Sequence, residues 1–77
     1  MTIKIIWDFR GEDGLQIAEH HAIHIKEFCI KENIPFIEID SKNLTEFHAI
    51  AFVTVLKSNV NAVRDALKPH RAEIVEK

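Results

Sequence analysis

At 77 residues the chain has room for one domain, and a domain of this size buries only about 60–65% of its unfolded surface, so association is a natural source of added stability. With 47% hydrophobic and 29% charged residues, two Gly and two Pro, it reads as a globular sequence and not as a disordered or fibrous one. Ten Lys and Arg against twelve Asp and Glu, with no more than two adjacent basic residues anywhere, lack the electrostatic footprint of a nucleic-acid binder, and the lone Cys29 excludes a disulfide framework or a cysteine zinc site.

Residues Thr2 to Phe9 alternate, Ile3, Ile5, Trp7 and Phe9 against Lys4, Ile6 and Asp8, which predicts a half-buried strand. Gly11 supplies a turn, and Asp13 with Gln16 forms a D-x-x-Q cap for a helix. At about 100° per residue Leu15, Ala18, Ala22, Ile25 and Cys29 fall on one stripe, with Ile17, His21 and Phe28 on its shoulder, until Asn33 precedes Ile34-Pro35. A second strand is expected over Phe36 to Asp40, followed by a turn at Ser41-Lys42-Asn43. From Phe47 to Leu56 both parities are largely apolar, as in a central strand. Ser58 or Asn59 caps a short helix with Val60, Val63 and Leu67 on its core side, stopped by Pro69. The tail, residues 72–76, reads as a fourth, edge strand, brief and charged enough to fray or continue helically instead.

This order predicts a single α+β domain over residues 1–77, a ferredoxin-like βαββα(β) plan with both helices on one face of an antiparallel sheet, because each helix carries one apolar side. The inner face is then Ile3, Ile5, Trp7, Phe9, Ile37, Ile39 and the odd residues of the third strand, which lies between the first two. A natural register sets Asp8 and Asp40 opposite His48, Ile6 opposite Ile50, and Lys4 and Phe36 opposite Phe52.

Two expectations follow for the outer face. Ile6, Phe36, Ile50 and Phe52 form an apolar patch that no helix covers, which predicts a homodimer through that face. His48 lies between Asp8 and Asp40, with Arg10, His70 and Arg71 beside them as ligand-binding candidates. Carboxylates next to an imidazole fix its tautomer, which suits proton transfer or the holding of an anionic or hydroxylated ligand; an ion-paired rim is the bland alternative.

His20 and His24 stand four residues apart on one helix side, a spacing at which two imidazoles reach one divalent ion, although a third ligand is missing nearby. Trp7 and Cys29 read as core, and Gly11-Glu12-Asp13-Gly14 lacks the spacing and the Lys-Ser/Thr pair of a phosphate loop. The start of the chain carries no targeting signal, and the longest apolar run is too short for a bilayer.

With this element order, the apolar outer face and the Leu67-Lys68-Pro69-His70 exit into a last strand, the layout resembles the dimeric α/β-barrel superfamily of ferredoxin-like proteins. The resemblance implies sheet-to-sheet dimers with an interfacial pocket for a small ligand, and no catalytic residue. The expectation is a cytoplasmic homodimeric module that binds a small molecule or a protein through its outer sheet face, without cofactor, nucleic acid or membrane. The alternatives are a small enzyme with a His48/Asp acid–base pair, and a divalent-metal protein built on His20 and His24.

Overall fold

Period-2 alternation at the start of the chain and a run that is apolar on both parities in its centre make the two strands around which everything else packs. In a computed structural model, which describes residues 1–75, the chain runs β1 (Thr2–Arg10), α1 (Gly14–Lys31), β2 (Glu38–Thr45), β3 (His48–Leu56), a 3-10 turn (Lys57–Asn59), α2 (Val60–Leu67) and β4 (Arg71–Val75). The expected last strand is therefore present up to Val75; Glu76 lies outside the described residues. The four strands form one antiparallel sheet in the order β2-β3-β1-β4.

Both helices pack against one face of this sheet. Ile5 and Trp7 of β1, Ala49, Ala51, Val53 and Val55 of β3, Ala18, Ile25 and Cys29 of α1, and Val63 of α2 close into one core, with Ile3, Phe9, Ile39 and Leu67 packed against it. Trp7 stands opposite Ala51, whose small side chain leaves room for the indole, and the indole Nε1–H donates to the Leu67 carbonyl at 2.9 Å, tying the end of α2 to the centre of the sheet. α1 lies mainly over β3 and β2, whereas the short α2 touches β1 and leaves Ile74, on the helix side of β4, exposed.

Two glycines fix the β1–α1 connection. Gly11 has φ +110° and donates its N–H to the Phe47 carbonyl at 2.8 Å, a left-handed conformation that side chains avoid. Gly14 opens α1 so close to β1 that a Cβ there would sit 2.9 Å from the Phe9 carbonyl oxygen. Asp13 is the N-cap residue, but its side chain makes no capping hydrogen bond, so the expected D-x-x-Q cap does not form. Asn59 likewise caps α2 without a side-chain bond.

The second strand is where the expected layout needs most correction. Ser41-Lys42-Asn43 is strand, not turn, and the reversal falls at Glu46-Phe47. A bend at Ile37 shifts the parity of the chain entering β2, so Phe36 and Ile39 both face the helix layer while Ile37 is exposed. The register moves accordingly. Arg10 faces His48, Asp8 faces Ile50 and Ile6 faces Phe52. On the other side of β3, Asp40 faces Phe52, Thr45 faces His48, and a bulge falls between Asn43 and Thr45. Each shift across the paired strands is by an even number of residues, so face assignments survive although partners change. Among the described residues no helix is long and apolar enough to cross a membrane.

Candidate functional site

The even-numbered residues of β1 and β3 share the outer face, and three of them are apolar and central: Ile6, Ile50 and Phe52. These were expected to form an open patch. They expose at most 7% of their surface, because long polar side chains fold over them. The Lys4 ammonium lies 4.1 Å from the centre of the Phe52 ring, a cation–π contact, and Glu73, Arg71 and Asp8 continue the cover around Ile6. Phe36 does not belong to this group, having turned to the helix side.

Asp8 is the hub. Its register partner is Ile50, which makes His48 a diagonal neighbour on the same face, and the His48 Nε2 comes within 2.7 Å of Asp8 Oδ1. From β4, Arg71 grips the same carboxylate with two prongs, Nε to Oδ2 at 3.0 Å and Nη2 to Oδ1 at 3.0 Å, while its Nη1 reaches Glu73 at 3.3 Å. The Arg71 fork is the main cause that holds the Asp8 carboxyl at about 2 against an ordinary 3.8; desolvation works the other way, and His48 adds to the lowering. The carboxylate is thus ionised and can only accept. His48 must therefore donate from Nε2, which leaves Nδ1 of the neutral ring as a free acceptor.

His70 has a different task. β4 pairs with β1 only as far as Ile6 opposite Arg71, and beyond that point His70 stands in for a strand: its ring Nδ1 accepts the Asp8 backbone N–H at 2.7 Å, and its backbone N–H donates to the Ile6 carbonyl at 3.1 Å. Of the three ligand-binding candidates, Arg71 and His70 are thereby spent on Asp8. Arg10, opposite His48 and exposed, has no ion-pair partner among the described residues.

The second carboxylate expected at His48 is not there. Asp40 faces Phe52, four residues from His48 along β3, or about 13 Å at the rise of a strand. Its Oδ1 accepts the Ser41 N–H at 2.8 Å. Lys4 and Glu73 were missed as members of the network. The signal for both was present in strand parity, since the alternation Arg71-x-Glu73 puts opposite charges on the face that Lys4 and Asp8 share.

The histidines of α1 divide as expected by face. His20 and His24 meet ring edge to ring face with centroids 4.7 Å apart, and His24 Nδ1 lies 3.3 Å from Glu27 Oε1. Among the described residues no three His, Cys, Asp or Glu side chains gather where a metal ion could sit. His21 is wedged edge-on between Trp7 and Phe9, at centroid distances of 5.1 and 5.4 Å, with Nε2 buried and without a hydrogen-bond partner among the described residues. Burial pushes its pKa below the ordinary 6.5, and the nearby His24 and His70 push it the same way. Cys29 is fully buried and its thiol pKa is raised by desolvation, which suits a core residue and not a nucleophile.

Comparison with protein-family models, with curated proteins and with solved structures returns no match.

Proposed function

We propose that the chain is a ferredoxin-like binding module that works as a cytoplasmic homodimer and holds a small hydroxylated or anionic molecule at the Asp8–His48 end of its outer sheet face. The observation that carries this reading is the pair itself: an ionised Asp8, clamped by Arg71, fixes the His48 proton on Nε2 and leaves Nδ1 to meet a ligand hydroxyl. Arg10, on the same face and opposite His48, supplies the charge for a carboxylate or phosphate. A small hydroxy acid satisfies both groups at once. A small molecule is favoured over a protein because the apolar centre of this face is already covered, so a protein would find little apolar surface to bury there. The β-α-β-β-α-β order with β1 and β3 in the centre of the sheet supports the ferredoxin-like plan. A lone buried cysteine supports a reducing compartment, and the short chain supports dimerisation.

The 2.7 Å contact also favours a second reading, in which His48 is a general acid–base and Asp8 orients it. One experiment addresses both. Amide NMR spectra of the protein titrated with malate and with inorganic phosphate are expected to show saturable shifts at Asp8, Arg10, His48 and Ile50, abolished in Arg10→Ala. Spectra unchanged by both compounds, or shifts confined to other residues, contradict the binding reading. Conversion of bound malate that His48→Gln stops while binding persists would select the enzyme.

A further inference from the structure

α1 has one side in the core and another that overhangs the sheet's edge, and the exposed side is patterned. Leu15, Ile23 and Ile30 are 37%, 58% and 61% exposed, and with Glu19 and Lys26 they recur at three- to four-residue spacing along one helix flank. Glu19, Ile23 and Lys26 line a groove of about 320 Å³ whose other wall is β2, through Ile39, Asp40 and Ser41. Among the described residues β2 is an edge strand that pairs only with β3, so half of its backbone N–H and C=O groups face outward. Among the described residues Glu19, Lys26, Asp40 and Lys42 have no ion-pair partner.

Both walls of this groove are palindromic in charge. A strand that pairs antiparallel with its own copy about a two-fold axis through Ser41 sets Asp40 opposite Lys42 of the second copy, twice, on the outer face that both residues share. An α1 helix that meets its own copy about an axis between Ala22 and Ile23 sets Glu19 opposite Lys26 of the second copy, twice, with Leu15 against Ile30 at the ends and Ile23 at the centre. Ala22, Ile23 and Ser41 line the same groove, so one axis normal to the sheet serves both elements. The spacing agrees as well: strands about 4.8 Å apart, with each helix seated between β2 and β3, bring the two helix axes to about 10 Å, within reach of ordinary helix packing. Charges on an edge strand normally discourage pairing, and this alternation of sign admits one partner in particular, the same strand reversed.

We infer that the chain forms an isologous dimer in which two β2 strands join into one eight-stranded sheet and two α1 helices pack across the seam, their Leu15, Ile23 and Ile30 buried between them. The inference rests on the homodimer reading above and is independent of the ligand site. It also relocates the contact from Ile6, Ile50 and Phe52, which the monomer covers, to apolar side chains that it leaves bare.

The test is solution mass by size exclusion with light scattering across a concentration series, for the wild type, Ile23→Glu, Glu19→Lys, and Glu19→Lys combined with Lys26→Glu. All three positions are exposed or partly exposed, so the fold tolerates these changes, and circular dichroism checks it. The expected result is a wild-type dimer, a monomeric Ile23→Glu, a dissociation constant raised about tenfold or more by Glu19→Lys, and recovery in the double variant, whose charges are complementary again. A wild type that is monomeric at every concentration overturns the homodimer reading and this interface together. A dimer indifferent to all the substitutions overturns the interface alone.

Discussion

Asp8 carries more of this protein's polar chemistry than any other residue, and its state can be read from solution. Its carboxyl pKa is lowered in the folded chain, so the stabilisation it gives is complete above the unfolded value near 4 and is lost as pH falls through about 2. The contribution is about 1 to 2 kcal/mol, discounted because Arg71 is itself partly in solvent. His21 acts earlier in the same direction. Its pKa is also lowered, so the neutral form that folding favours gives stability above its ordinary 6.5, and that stability declines as pH falls through the lower folded value. The charged groups that act on it are His24 on its own helix and His70 beyond α2, while β1 presents only Trp7 and Phe9. Urea unfolding across the pH range is expected to show two losses, one below pH 6.5 that His21→Leu removes and one below pH 4 that Asp8→Asn removes. A stability flat from pH 7 to 5 in the wild type would contradict the assignment to His21.

At the scale of elements, what could be read from the sequence tracks how strongly hydrophobicity dictates each segment. β1 alternates, α1 and α2 carry a period near 3.6 residues and β3 is apolar on both parities, and all four were legible, as was the parity that puts Trp7 in the core and Ile6 on the far face. β2 was legible only at its start, where Glu38 to Asp40 fall within the expected strand, because an edge strand solvated on its outer face has polar residues where a turn would also have them. Ser41-Lys42-Asn43 therefore resembled a reversal, while the real one at Glu46-Phe47 lacks Gly, Pro and Asn. That error displaced Asp40 by four positions along β3 and placed a second carboxylate at His48. The first survived because Asp8 shares His48's face at either register and reaches it diagonally. The β1–α1 junction offers a direct check on the packing. Gly14→Ala puts a methyl group 2.9 Å from a backbone oxygen that cannot rotate away, so a loss of about 1 to 3 kcal/mol is expected in urea unfolding, although alanine is the better helix former. An unchanged or raised stability would show that α1 sits further from β1 than the structure has it.

For the molecule as a whole, the sheet separates three kinds of surface. One face carries α1 and α2, the other is a small apolar centre beneath a charged cover with the Asp8–His48 pair at one end, and the β2 edge lies beside the flank of α1 that exposes Leu15, Ile23 and Ile30. Joining two chains at β2 leaves both outer faces on the same side of a continuous sheet, with both Asp8–His48 pairs open. The functional claim then turns on His48, whose proton must lie on Nε2 for Asp8 to hold it and whose Nδ1 must be free for a ligand. The most direct measurement is a long-range nitrogen–proton NMR correlation of the histidine rings, recorded with neutral His48, before and after addition of malate. The account predicts the Nε2–H tautomer for His48 and a change at Nδ1 when malate is added; an Nδ1–H tautomer, or a ring that does not respond to malate, would contradict it.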